Sequence, residues 1–330
     1  MDAVQLGEWS RNLVTGAVVA YIVAWLAYCA ELAVRSRART ADRESVTVAA
    51  GQSGSSPSVE HLESAARAGE SSQAGERSGQ PDRTDRSERM NRIGLSVSTL
   101  ATLLLAAGVL TRTLAVERAP WGNMHEFSIT GALIAAAVFL AVARTRVGRA
   151  LAIWLVLLLI VTLGMALTVL YVPPGPLVPA LQSYWLVLHV GMAVTAFGLF
   201  TVAAVVSGLQ IAAERFERRR RPSSLPSSGT LDRLAYRLVA VAFPIWTVGP
   251  LILGAVWAEA SWGRYWGWDP KEVWALVTWL AYAAYLHARA TAGWKGTRAS
   301  VISLIGYATV VFSYFAVNLI FNGWHSYAGV

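Results

Sequence analysis

The chain has 330 residues, of which 55% are hydrophobic and only 15% are charged, and its mean hydropathy is +0.45. This composition is typical of a polytopic membrane protein and excludes an ordinary soluble domain. A net charge of +8 is high enough to suggest a nucleic-acid partner, but the positions of the basic residues indicate membrane orientation instead, so we expect no nucleic acid. The single cysteine, Cys29, excludes an internal disulfide and a CxxC redox or metal site.

Long apolar runs predict eight membrane-spanning helices. A helix that crosses a bilayer needs about 20 mostly apolar residues. The runs that meet this rule are 13–34, 94–115, 127–143, 150–171, 185–212, 235–257, 272–291 and 300–320. The first run lacks a cleavage site after a short core, which favours a retained helix over a signal peptide. The predicted fold class is therefore an all-α, polytopic membrane helix bundle.

Lys and Arg predict the orientation of this bundle, because these residues collect in cytoplasmic loops. If both termini lie outside, the inner segments 35–93, 144–149, 213–234 and 288–299, together with the helix-end Arg237, hold 23 of the 28 basic residues. We therefore expect extracytoplasmic termini. The outer loops are rich in aromatic and polar side chains, which makes the extracytoplasmic face the predicted functional face.

Composition divides the chain into three predicted parts. Residues 1–35 form an N-terminal transmembrane helix, and 36–92 are rich in Ser, Gly, Arg, Glu, Gln and Asp. Such a segment has too few bulky apolar side chains to build a core, so we expect a disordered cytoplasmic loop. Residues 93–330 hold the remaining helices. A proline-rich outer loop, 172–184, is predicted to be a stiff lid.

Tryptophan is concentrated in the predicted outer loop 258–271. Seven of the chain's 14 tryptophans fall within 246–279, and Trp262, Trp266 and Trp268 are separated only by two glycines, an arginine and a tyrosine. Flat aromatic faces with close backbone approach predict a site for a large, flat, apolar ligand. The alternative is an aromatic belt at the membrane surface, which would spread its tryptophans over many helix ends.

The histidines flank this loop. His189 lies about four residues into the fifth predicted helix, and His325 lies just beyond the eighth. Haem iron accepts one imidazole on each face, so two outer histidines predict a bis-histidine haem site. The alternative for each is an interfacial hydrogen-bonding residue. His287 falls in the inner half of the bilayer, where an ionisable side chain is costly and indicates function, whereas His125 is expected at the surface.

Asp269 begins an Asp-Pro-Lys-Glu sequence that ends at Glu272. This pattern is typical of a helix N-cap followed by proline and a reciprocal glutamate, so it predicts the start of the seventh helix. The same carboxylate is also a candidate to orient a tryptophan N–H or an outer histidine.

The stretch Trp262-Gly-Arg-Tyr-Trp-Gly-Trp-Asp-Pro-Lys-Glu272 resembles the WWD signature loop of the haem-handling proteins of cytochrome c biogenesis. With eight predicted helices, the chain most resembles the CcsA/ResC type of system II, called CcsB in actinobacteria. The resemblance covers about 93–330. It implies that haem b (iron protoporphyrin IX) is bound outside by the following residues: His189, His325, Trp262, Trp266, Trp268 and Asp269. Asn123 and Glu126 match an outer-loop element of the family.

The resemblance further implies that His287 binds iron at an inner haem site, with the second ligand supplied by a ResB-like membrane protein. The implied function is haem delivery across the bacterial cytoplasmic membrane for thioether attachment to the CxxCH motif of an apocytochrome c. The chain would be the haem-binding subunit of a holocytochrome c synthase complex and would act by positioning, without a catalytic nucleophile. A thioredoxin-type reductant would act on the apocytochrome thiols.

Two rival functions stay open on sequence grounds. One is a transporter of a small apolar or aromatic solute, with the histidines as proton relays. The other is a b-type electron-transfer subunit, which normally places two histidines at matched depths on facing helices. A haem absorption spectrum discriminates between them.

Overall fold

The computed structural model describes residues 2–52, 59–176, 182–221, 223–321 and 323–325, and within 37–84 it describes the backbone alone. The described residues form helices and connecting segments, with no strand among them. The helices are α1 (Ala3–Gln52), α2 (Val59–Val116), α3 (Met124–Val142), α4 (Arg146–Thr168), α5 (Tyr184–Arg218), α6 (Ser228–Trp246), α7 (Gly254–Trp262), α8 (Pro270–Thr291) and α9 (Thr297–Leu319). A π-helical segment, Thr247–Leu253, joins α6 to α7.

The predicted all-α bundle is confirmed. Seven helical stretches within the described ranges are long and apolar enough to cross a membrane, with α6, the π segment and α7 forming one continuous span. The eighth predicted span corresponds to α8, which is 22 residues long but less apolar, because its tryptophans, tyrosines, His287 and Arg289 lower its hydropathy. The sidedness of the bundle stays a prediction.

The chain divides into two compact units. The first comprises Met1–Ile22 and Thr99–Val330, and the second comprises Val23–Ser98. Both α1 and α2 extend into the segment 36–92 that is predicted to be disordered, and the predicted domain boundaries stay predictions. Much of the predicted lid 172–184 lies outside the described residues.

Hydroxyl groups join α1 to α2 within each unit. In the first, Ser10 Oγ donates a hydrogen bond of 2.7 Å to the carbonyl of Gly108, and the hydroxyls of Tyr21 and Thr102 are 2.9 Å apart. In the second, the hydroxyl oxygens of Tyr28 and Ser98 are 3.2 Å apart. These bonds satisfy polar groups that would be costly to leave unpaired in an apolar environment.

Helix α5 lies at the centre of the first unit and contacts α3, α4, α6, α7, α9 and the π segment. Its approach to the π segment is close, because a Cβ built on Gly249 would lie 2.5 Å from Cβ of Met192. Glycine at this position therefore allows the two backbones to meet. This contact brings the carbonyl of Gly249 to the side chain of His189.

Candidate ligand-binding site

One cavity collects residues from the start of α3, α5, the π segment, α7, the tryptophan loop, the start of α8, α9 and the segment after α9. The volume of this cavity is about 1170 Å³, counting the space at its open mouth. The wall is mainly apolar and aromatic, and both His189 and His325 belong to it, together with Trp266. The structure thus brings the two predicted outer histidines to one cavity.

His189 is fixed by the π segment. Its Nδ1 lies 3.1 Å from the carbonyl oxygen of Gly249, and its ring stacks on Trp257 with 5.8 Å between centroids and 5° between planes. A carbonyl only accepts hydrogen bonds, so Nδ1 carries the proton and Nε2 keeps its lone pair. Gly254 leaves room for the imidazole, because a Cβ there would lie 2.9 Å from its Cε1.

His325 is held in a comparable way, by a carboxylate oxygen in place of a carbonyl oxygen. Its Nδ1 lies 2.7 Å from Oδ1 of Asp269. Its ring lies 5.5 Å from that of Trp257 and meets Trp262 edge-on at 5.0 Å. Both imidazoles therefore contact the same indole, Trp257, and His325 also presents Nε2 without a hydrogen bond among the described residues.

The electrostatics of the His325–Asp269 pair favour a neutral imidazole. Burial lowers the pKa of His325 below 6.5, against the opposing effect of the hydrogen bond to Asp269. Burial raises the pKa of Asp269, but hydrogen bonds from His325 and from two backbone N–H groups outweigh it, so that this pKa lies below its ordinary value. The pair is therefore a carboxylate and a neutral imidazole at pH 7, the form that binds a metal.

Asp269 is also the N-cap of α8, as predicted. Its Oδ1 accepts from the backbone N–H of Lys271 at 2.9 Å, and Glu272 Oε2 accepts from the N–H of Asp269 at 3.1 Å. Its Oδ2 accepts from the N–H of Trp324 at 2.6 Å. One carboxylate thus begins a helix and fixes the segment that carries His325.

The three predicted tryptophans lie in different environments. Trp266 lines the cavity. Trp262 packs beside His325, and its ring centroid is 4.7 Å from that of Trp257. Trp268 is 72% exposed, has a positive φ of 58°, and meets Trp266 edge-on. The cavity wall instead includes Trp121, Trp246 and Trp257, which the sequence analysis did not select. The tryptophan-rich range 246–279 already contained two of them.

A buried ion-pair cluster positions Trp121. Glu126 is fully buried, 2.9 Å from Arg112 and 2.7 Å from Arg118, and it accepts from the N–H of Gly122 at 2.8 Å. Asn123 caps α3 by accepting from the N–H of Glu126. Arg112 was not selected from the sequence, although a charge inside a predicted membrane helix indicates a buried partner.

Two further histidines, His125 and His287, do not line the cavity. His125 is 1% exposed, with Nδ1 2.8 Å from the carbonyl oxygen of Ala166, so its predicted surface position is wrong. The side chain of His125 is turned towards α4, where Ala166 lies. His287 is exposed on α8, far along the helix from Asp269.

The residues present fit an iron porphyrin. Two neutral imidazoles offer Nε2 from one cavity, and its walls provide indole rings. Among the lining residues, the buried Nε1 of Trp121 has no hydrogen-bond partner in the described part of the chain. An unpaired buried donor is costly, so it is consistent with a bound group that brings an acceptor.

Comparison with known proteins assigns the chain to a family. Residues 97–325 match the family model described as "Cytochrome C assembly protein". A "Cytochrome c biogenesis protein CcsA" of Gloeobacter violaceus is 32% identical over 295 residues, which cover 71% of this chain and 86% of that protein. The protein of the same name from Chlamydomonas reinhardtii is 42% identical over 153 residues, which cover 46% of this chain and 43% of that protein.

A solved structure titled "Cytochrome c Heme Lyase CcmF" shares the fold, with a TM-score of 0.61 and 16% identity. The likeness covers 96% of this chain and 47% of the other. Together with the apolar helices, these matches show that the chain is a multi-pass membrane protein and belongs to the cytochrome c assembly protein family.

Proposed function

We propose that this chain holds haem b in the outer cavity and presents it to an apocytochrome c for covalent attachment during cytochrome c maturation. The observation that carries the proposal is the pair of imidazoles, His189 and His325. Each has Nδ1 occupied by an oxygen acceptor and Nε2 free, and both line one mainly apolar cavity. That arrangement suits the two axial positions of haem iron.

The residues of the chain act by binding and orienting. His189 and His325 are the ligands, Trp257 and Trp266 supply aromatic surface, and Asp269 orients His325. When bound, haem supplies the vinyl groups across which the two CxxCH thiols add, each forming a C–S bond while its proton goes to the vinyl carbon. No protein nucleophile or oxidant is needed for this addition, so the contribution of the chain is proximity and orientation.

Delivery of the product requires one outer histidine to leave when the CxxCH histidine takes its place. His325 suits that exchange, because it lies in the short segment after α9, whereas His189 is built into α5. We therefore propose exchangeable ligation on the His325 side.

The remaining parts of the proposal concern the inner face and the partners. His287 would bind iron there with a second ligand from a ResB-like membrane protein, in keeping with its exposed position on α8. A thioredoxin-type reductant would keep the apocytochrome thiols reduced. The protein would lie in the bacterial cytoplasmic membrane with the outer cavity on the extracytoplasmic side.

An absorption spectrum of the purified, haem-loaded protein tests the proposal. We expect a six-coordinate haem spectrum that changes to a five-coordinate one, or is lost, in His189→Ala and in His325→Ala. The spectrum should be kept in the control His61→Ala, since His61 belongs to the segment 36–92, which is outside the family resemblance. A wild-type protein that binds no haem would point to the solute transporter. A six-coordinate spectrum insensitive to both substitutions would point to a b-type electron-transfer haem held elsewhere.

A further inference from the structure

Lys271 places a cationic side chain on the wall of the outer cavity. It is one of two lysines in the chain, and the other, Lys295, lines a separate polar cavity beside α9. The ammonium group of Lys271 can donate three hydrogen bonds. Its acceptor among the described residues is Oδ1 of Asn318, which leaves donor capacity for a ligand.

Asn318 holds this ammonium group in place. Its own amide donates to the carbonyl oxygen of Tyr314 at 2.7 Å, and Tyr314 also lines the cavity. The cation therefore belongs to the same cavity wall as the two imidazoles, and the rest of that wall is mostly apolar.

Trp121 adds a second donor. Its indole Nε1 is buried without a hydrogen-bond partner in the described ranges, although the residue lines the cavity. The backbone on either side of it is fixed, because the carbonyl of Pro120 accepts from Thr130 and the N–H of Gly122 donates to Glu126. A donor-only group held rigidly and left unpaired is suited to an acceptor brought by a ligand.

We propose that Lys271 and Trp121 Nε1 bind the carboxylates of the porphyrin, so that the cavity recognises a planar dianionic amphiphile by its acidic edge as well as by its iron. The inference rests on the proposed function. Glu272 and Asp269 carry negative charge nearby, so a carboxylated ligand would be repelled without Lys271. Charge-assisted hydrogen bonds are the strong class, and loss of one lowers affinity about tenfold or more.

The test compares two ligands on the full-length, detergent-solubilised protein: ferric haem and its dimethyl ester, in which both carboxylates are blocked. Binding is followed by the Soret band and by quenching of tryptophan fluorescence. We expect the wild type to bind haem about tenfold or more tightly than the ester. Lys271→Met should lose most of that preference with ester affinity unchanged, and Trp121→Phe should lose part of it.

Matched controls are Lys295→Met and Trp154→Phe, the latter an exposed residue of α4, and both should keep the wild-type preference. Equal wild-type affinity for haem and ester would overturn the carboxylate site. So would an equal fall for both ligands in Lys271→Met, which would show a structural role. If the wild type binds neither ligand, the proposed haem function itself is overturned.

Discussion

The carboxylate of Asp269 is the residue on which the outer site depends most directly. It caps α8, accepts from the backbone of Trp324 and orients His325. Acidic groups that accept from the N–H of a metal-binding histidine fix the ring and raise its basicity. Its effect on haem binding is thus separable in principle from its effect on the helix.

Asp269→Asn separates the two roles. Asparagine is an equally good N-cap, so helix content and thermal unfolding should change little. The amide is neutral and has one acceptor oxygen, so the bonds to both Trp324 and His325 cannot be kept. We expect haem affinity to fall by about 10-fold to 100-fold, measured by haem transfer to apomyoglobin. Unchanged haem release from this variant would leave Asp269 with the capping role alone.

At this scale the sequence predicted part of the geometry of the site, and the chemistry of the site stays a prediction. His189 and His325 line one cavity and Asp269 contacts His325, a grouping that the sequence indicated because helix depth and the capping pattern are local signals. The orientation of Trp268 was not predictable, because its positive φ turns the ring outward and depends on the loop as a whole. Trp121 and Arg112 belong to the site through contacts between segments that are distant in the sequence. The periodicity of apolar residues gives no information about such contacts.

Among the elements, the turn before α3 shows how a loop is held rigid at the cavity. Glu126 has two arginines and a backbone N–H as partners and is fully buried. Removing one member of a buried ionic cluster leaves uncompensated charge, which costs about 3–5 kcal/mol. The turn therefore carries a large share of local stability.

Glu126→Gln should lower the free energy of unfolding by a few kcal/mol, on the order expected for a broken buried ion pair. It should also weaken haem binding, because Trp121 is no longer fixed. Unfolding followed by tryptophan fluorescence in detergent measures the first effect. The comparison variant is Glu88→Gln, because the ion pair between Glu88 and Arg92 is largely exposed. This substitution should lower the free energy of unfolding by about 1 kcal/mol or less. Equal effects of the two substitutions would contradict the role given to the cluster.

The helices themselves were largely predictable, because a run of about 20 apolar residues has few other stable states in a membrane. The π segment was not. Pro244 and Pro250 each remove a backbone donor from the continuous span, and Gly249 permits the close contact with α5. Which of these breaks becomes a wide turn depends on packing, and that turn is what presents a carbonyl to His189.

On the scale of the whole molecule, His287 lies apart from the cavity that His189 and His325 line, on an exposed side of α8. An imidazole exposed within a predicted bilayer segment is energetically costly unless another group binds it. We expect haem retained through His287 to appear only when a ResB-like protein is co-expressed. His287→Ala should then lose that haem while the outer site still loads from added haem. Equal haem content of wild type and His287→Ala in the co-purified complex would contradict the inner site.

The outer cavity draws on widely separated parts of the chain, from the turn before α3 to the short segment after α9. During synthesis, the ribosome must therefore have produced α1 to α9 of the described chain before His325 can meet Asp269. Under the proposed function, a nascent or truncated chain that ends before the segment after α9 would bind haem iron through His189 alone. The order of translation would then delay haem loading until that segment has been made.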